Sequence, residues 1–167
     1  TELRGWWIPA NRPRGTVVYC HGNAGNMGRS AHYAPEFFKR GYNLLLWDYR
    51  GFGHSSGRPT EKGLYEDARA AFDAAATMGG DLPVVVYGLS LGAAVAVQLA
   101  ADRPAAGLVV EGGFASAPDM ARRRYPNLPL DRLLSAAYDS AAKVAGLKGL
   151  PKLFGHSIQD PVVPFQS

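Results

Sequence analysis

The chain is short of cysteine, of net charge and of long apolar runs, and each shortage removes a class of protein. A single cysteine, Cys20, excludes an internal disulfide. It closes the apolar run Thr16-Val17-Val18-Tyr19, where a small buried core residue is expected rather than a reactive thiol. The histidines and that cysteine form no cluster with metal-ligand spacing, so no metal centre and no cofactor are expected. No Gly-Lys-Ser/Thr follows a glycine loop, which excludes a nucleotide P-loop. No apolar run approaches the ~18 residues of a membrane span. A signal-peptide pattern is absent too, but Thr1 is not a natural start, so targeting cannot be read from this end. A cytoplasmic or membrane-associated location is favoured.

The net charge is only +4, and its densest cluster is Arg122-Arg123-Arg124. Three arginines could meet anionic lipid or nucleic acid. No aromatic stacking platform accompanies them, so a solvated helix end is the better reading and no nucleic-acid partner is expected.

What is present is a globular composition, 47% apolar and 19% charged, over 167 residues, which suits one domain. Apolar, β-branched runs fall at 16–20, 44–47, 84–87, 108–110 and 152–154. Continuous rather than alternating apolarity suits strands buried on both faces, as in a parallel sheet. Leu3 to Ile8, with two tryptophans, reads as an edge strand. Between the runs lie crossover helices. Residues 61–78 carry Leu64, Ala68, Ala71, Phe72 and Ala75 near helical spacing, with Thr60 as N-cap. Residues 90–102 are alanine-rich and apolar nearly all round, which fits a helix deep against the sheet. Asn26 to Arg40 also reads as helix, kinked or interrupted at Pro35 and ended by Gly41. The order is that of an α/β fold: an open, mostly parallel sheet with helices on both faces. The stretch 114–137, punctuated by Pro118, Pro126 and Pro129, is expected to add a small lid or extra helices.

Three segments carry chemistry. His21-Gly22-Asn23-Ala24-Gly25-Asn26 follows a strand and precedes a helix, so its backbone N–H groups can face a phosphate or an oxyanion. Gly88-Leu89-Ser90-Leu91-Gly92 has the Gly-x-Ser-x-Gly pattern between a strand and a helix, a tight turn with serine at its apex. The N–H of Leu91 would then point at the same space as the serine oxygen. Last, Asp160 follows a late strand in His156-Ser157-Ile158-Gln159-Asp160-Pro161-Val162-Val163-Pro164. It stands where the acid comes in the chain order serine, acid, histidine, with Glu111 and Asp119 as fallback acids.

Together with Asp48-Tyr49-Arg50-Gly51-Phe52-Gly53-His54-Ser55 and the Pro59-Thr60-Glu61 helix start, these segments resemble the α/β-hydrolase superfamily over almost the whole chain. The resemblance is to its short, nearly lidless serine hydrolases, which include membrane-anchored depalmitoylases and their bacterial relatives. It implies Ser90 as nucleophile, Asp160 as triad acid, and the N–H groups of Leu91 and Asn23 (or Ala24) as oxyanion donors. Ser157 stands where that family usually has glycine.

A serine hydroxyl needs a base to take its proton, and none of the four histidines fits. His21 belongs to the glycine turn, His32 to the surface of the first helix and His54 to the loop after Asp48, at most on the rim of the site. His156 precedes the acid on its own strand. In the family resembled, the base follows the acid by a further crossover and strand, whereas Ser167 comes seven residues after Asp160. The expectation is therefore a single α/β-hydrolase domain over 1–167 that lacks its last strand and helix, and leaves open the loss of a first strand. The expected activity of the complete protein is hydrolysis of a small-molecule carboxylic ester or thioester through an acyl-enzyme, with Phe52, Phe114 and Leu128 on the rim. A catalytically idle hydrolase-fold binding module and a peptidase or amidase of the same fold are the alternatives.

Overall fold

The computed structural model describes residues 1–127, 136–163 and 165. Six strands form one sheet: β1 (Arg4–Ile8), β2 (Gly15–Cys20), β3 (Tyr42–Asp48), β4 (Val84–Leu89), β5 (Gly107–Glu111) and β6 (Lys152–Gly155). Their spatial order is β1-β3-β2-β4-β5-β6. Only β1 runs antiparallel, with Arg4 opposite Asp48 and Ile8 opposite Leu44. The β2 residues Val17 and Val18 pair with Leu44 and Leu45 on one side and with Val85 and Val86 on the other. This central position explains the unbroken apolar run in β2, since both of its faces are covered. Among the described residues β6 is the other edge, exposed along its whole length.

Alternation along the strands splits the interior into two cores. Val17, Tyr19, Leu44 and Leu46 face one side and pack with Met27 of α1 (Met27–Ser30) and with Phe37 of α2 (Ala34–Lys39). Val18, Cys20, Leu45 and Trp47 face the other. They meet Leu64, Ala68, Ala71, Phe72 and Ala75 of α3 (Glu61–Gly79), together with Val95, Val97 and Leu99 of α4 (Leu91–Asp102). Burial pushes the Cys20 thiol up to about 12, as befits a core residue. Two further helices, α5 (Ala117–Arg124) and α6 (Ser140–Gly146), follow β5.

Capping decides where the helices start. Thr60 Oγ1 accepts the Gly63 N–H at 3.1 Å, so α3 begins where its sequence indicates. The segment from Asn26 to Arg40 is not one kinked helix. A 3-10 turn at Ala31–Tyr33 separates α1 from α2, and Pro35 lies in the first turn of α2, where its missing N–H costs nothing. Gly41 closes it at φ +72°. Of the arginine cluster, Arg122 and Arg123 pair with Asp119 on α5 at 3.5 and 2.7 Å, consistent with a solvated helix end. In the expected lid, 114–137, the described part contains α5, while residues 128–135, with Leu128 and Pro129, lie outside the described residues. Sequence reading expects a crossover helix between β5 and β6 without placing it, and α6 lies there, past the 114–137 stretch.

Candidate functional site

Ser90 lies between the end of β4 and the first residue of α4, at φ +54° and ψ −117°. A side chain held in that region carries strain of about 1–3 kcal/mol, which surrounding structure must enforce. Here the Ser90 N–H donates to the Glu111 carbonyl at 2.8 Å, and the Ser90 carbonyl accepts the Ala93 N–H at 2.9 Å. The flanking glycines are required by close approach. A Cβ on Gly88 would fall 2.6 Å from Ala93 Cα, and one on Gly92 would fall 2.6 Å from the His21 carbonyl oxygen. Strand, helix and glycine turn therefore converge on one serine.

The glycine turn sits directly beside it, since a Cβ on Gly22 would touch Ser90 Cβ at 3.4 Å. The turn is held from below. Tyr49 Oη donates to the His21 carbonyl at 2.9 Å. Asp48 Oδ1 accepts the Met27 N–H at 2.6 Å, and the Asn26 side chain caps α1. The following loop is clamped to α3 by Arg50, whose guanidinium forks onto the buried Asp67 at 2.7–3.0 Å. Leu91 opens α4, so its N–H has no intrahelical carbonyl. Neither it nor the Asn23 N–H finds an acceptor among the described residues. Both residues line the same cavity as Ser90. One donor stands at the N-terminus of α4 and the other in the glycine turn beside it, and together they favour developing negative charge there.

The cavity measures about 900 Å³. Phe52, Phe114, Ala117, Met120, Val162 and Val163 give it an apolar part, while α3 contributes Glu61, Lys62, Tyr65 and Arg69. Phe52 and Phe114 are thus where the sequence puts them.

Asp160 lies past β6, one strand beyond β5. Its Oδ1 accepts the N–H groups of Val162 and Val163 at 2.8 and 2.9 Å. Those two bonds, first Val163 and then Val162, with the nearby His156, hold its carboxyl below the usual aspartate value. Ser157 shapes the turn in place of a glycine: its carbonyl accepts the Asp160 N–H at 3.1 Å and its Oγ accepts the Gln159 N–H at 3.2 Å. Val162 and Val163 line the Ser90 cavity, which places the carboxylate on the same end of the sheet as the serine. The fallback acids are engaged elsewhere. Glu111 accepts from Tyr87 Oη, and Asp119 pairs with Arg122 and Arg123.

Each histidine has a structural partner or a separate place. His21 is 2% exposed; its Nδ1 bonds the Gly22 carbonyl at 2.8 Å, and its Nε2 lies 3.3 Å from Asp48 Oδ1 without hydrogen-bond alignment. Burial, opposed by the Gly22 carbonyl and by Asp48, holds its imidazole below the ordinary histidine value, so it is neutral. The exposed His32 bonds the Arg29 carbonyl at 2.7 Å. His54 is not on the rim of the Ser90 cavity: it faces a separate cleft with Arg4, Trp6 and Met27 beside β1. His156 Nε2 donates to the Val163 carbonyl at 2.9 Å and stands 3.9 Å from Asp160 Oδ2. Sequence reading missed Glu61 and Tyr138, which meet in the cavity wall from positions far apart in the chain.

Residues 11–159 match the profile of the family described as serine aminopeptidase, S33. Among its relatives, the Mycobacterium tuberculosis (strain H37Rv) protein Rv2307c is 40% identical over 167 residues, covering 98% of this chain and 59% of that protein. The lysophosphatidylserine lipase ABHD12 of Macaca fascicularis is 34% identical over 172 residues, covering 90% of this chain and 42% of that lipase. The chain therefore spans well under two thirds of the length of these relatives. Among solved structures, TT1662 from Thermus thermophilus superposes with a TM-score of 0.76 at 25% identity, covering 98% of this chain and 74% of that one.

Proposed function

This chain belongs to the serine aminopeptidase S33 family of α/β-hydrolases, and on that premise we propose that it carries the nucleophile of a serine hydrolase acting on a carboxylic ester or thioester. The observation that carries this reading is Ser90 itself. It is a strained, non-glycine apex residue in a cavity where two backbone donors, Leu91 and Asn23, have no acceptor among the described residues. A base takes the Ser90 hydroxyl proton as Oγ attacks the substrate carbonyl. The Leu91 and Asn23 N–H groups hold the tetrahedral oxyanion, the alcohol or thiol leaves with the proton, and water repeats the steps to release the acid. Asp160, with Oδ1 fixed by two backbone N–H groups and Oδ2 given no such bond among the described residues, orients the base and stabilises its charged form.

The base is a histidine outside residues 1–167. Support comes from the four histidines present, each bonded or placed away from Ser90, and from relatives that extend beyond the stretch matched here. Losing the base of a serine hydrolase costs turnover by about 10⁶, so residues 1–167 alone are expected to turn over little or nothing. A lipase among the relatives and the apolar part of the cavity favour an acyl ester as substrate. The family's description names an aminopeptidase, and this favours amide cleavage as the second reading.

The test is an activity probe. A fluorophosphonate applied to the full-length protein should add one label, seen by intact mass and lost in Ser90→Ala. Absence of that label would sink the nucleophile assignment and point to a binding module. A panel of matched butyryl esters, thioesters and aminoacyl amides then separates the two hydrolytic readings.

A further inference from the structure

The last residue of β5 meets Ser90 through its main chain. The Glu111 carbonyl accepts the Ser90 N–H at 2.8 Å, and the N–H that follows it, that of Gly112, donates to the Gly155 carbonyl at 2.9 Å. This carbonyl and this N–H belong to one peptide group, which is planar and, when trans, points them in opposite directions. One rigid unit therefore joins the Ser90 turn, at the end of β4, to the end of β6, from which the Asp160 loop departs. Asp160 lies beside the same unit, since a Cβ on Gly112 would stand 3.6 Å from Asp160 Oδ2. The tilt of the Glu111–Gly112 peptide thus sets the nucleophile's backbone and the acid's strand together. Gly112, at φ +56°, has no side chain to restrain it and leaves that tilt soft on its own side. The restraint has to come from Glu111.

Glu111 supplies it with its side chain. Its carboxylate accepts from Tyr87 Oη, and Tyr87 belongs to β4, shortly before Ser90. Parallel pairing sets Tyr87 opposite Val109 and Leu89 opposite Glu111, so the Tyr87 and Glu111 side chains project from one face of the sheet. The Tyr87 ring is itself fixed. It stacks on the buried Tyr19 of β2 at a centroid distance of 5.0 Å, with 18° between planes, and meets Phe37 of α2 edge-on at 5.8 Å. Burial, and next the bond to Glu111, push the Tyr87 phenol above its ordinary value, so it keeps its proton and donates. Among the described residues no lysine or arginine pairs with Glu111. A half-buried carboxylate without a cation is costly. The bond it makes with a phenol is charge-assisted, roughly twice as strong as a neutral one, and so ties the two strands stiffly.

Resting on the Ser90 reading above, we propose that Glu111 is a positioning residue for the nucleophile: its carboxylate, tied to Tyr87 Oη, fixes the one peptide group that bridges the Ser90 turn and the strand leading to Asp160. Neither Glu111 nor Tyr87 lines the Ser90 cavity, so their effect passes through the backbone. Without the tie, the peptide can rock about its two flanking bonds, and Ser90 is no longer held firmly at its strained φ of +54°. A misplacement of about 1 Å at reacting groups can cost on the order of 100-fold in rate.

The experiment follows fluorophosphonate labelling of Ser90 in the full-length protein over a range of probe concentrations. This separates the limiting labelling rate from the concentration that half-saturates it. Tyr87→Phe, which keeps the stacked ring, and Glu111→Ala should each lower the limiting rate about 10–100-fold and leave half-saturation unchanged, because the cavity wall is intact. Glu111→Gln, which keeps an oxygen for Tyr87 to bond, should recover most of that rate. Urea unfolding gives the folded fraction of each variant under the assay conditions. A wild-type limiting rate in either Tyr87→Phe or Glu111→Ala, or a fall no larger than the loss of folded protein, would overturn the positioning role and leave Ser90 standing. So would a fall in Glu111→Gln as deep as in Asp160→Asn, since the charge itself would then serve the reaction. No label on the wild type would overturn the Ser90 reading, and this proposal with it.

Discussion

Asp48 Oδ1 accepts the Met27 N–H at 2.6 Å, which ties the carboxyl end of β3 to the first turn of α1. The carboxylate is 1% exposed, so neither partner can turn to water if the other is removed. The glycine turn beside Ser90 runs between these anchors, from the end of β2 to Asn26.

Asp48→Ala should therefore destabilise the fold by about 1–3 kcal/mol, the cost of a buried N–H left unsatisfied. Urea unfolding measures this. Fluorophosphonate labelling of Ser90 should slow as well, because the Asn23 N–H is carried on the released turn. Unchanged stability would show that the turn is held by Tyr49 and Asn26 alone.

His21 sets a pH dependence. Burial holds the folded imidazole below its ordinary value of about 6.5, whereas the unfolded chain takes up the proton near that value. Between the two, the unfolded state binds more protons. Stability must then fall as pH drops through about 6.5, and the loss levels off below the folded value. Urea midpoints measured from about pH 7.5 to about pH 5.5 should decline, and His21→Gln should decline less steeply.

Ser90 makes stability and chemistry separable. Ser90→Gly removes the side chain from its φ of +54° and should be more stable than Ser90→Ala by about 1 kcal/mol, since glycine meets no such strain. Both variants should lose the fluorophosphonate label. Equal melting temperatures would mean that the turn is relaxed.

Much of this arrangement was legible in the sequence. Thr60 caps α3, glycines flank Ser90 and unbroken apolar runs mark the central strands, because each is a local consequence of backbone sterics or hydrogen bonding. The break between α1 and α2 was harder to place, as Pro35 suits a first helical turn as well as it disrupts a later one. Helix α6, Ser-Ala-Ala-Lys-Val-Ala-Gly, has too few large apolar residues for its period to show. Glu61 could be read as a helix start, but not as the acceptor for Ala137 and Tyr138, which lie 76 and 77 positions away. No local pattern encodes that meeting.

Glu61 can be tested on the same footing. Glu61→Ala should expose the Ala137 and Tyr138 amides to faster hydrogen exchange and cost about 1–3 kcal/mol, since two N–H groups lose their acceptor. Glu61→Gln keeps an acceptor oxygen and should lose less. Exchange rates as slow as in the wild type for both variants would show that Ser140 and the aromatic contacts suffice to hold this chain segment.

The Asp160 loop has a further consequence for how such a cavity can change. The groups that fix the carboxylate at positions 162 and 163 are main-chain N–H groups, which every residue except proline supplies. The side chains at those same positions line the cavity. Substitutions there can reshape the cavity while the Asp160 carboxylate stays where it is, so at these two positions cavity shape can vary independently of the carboxylate's placement.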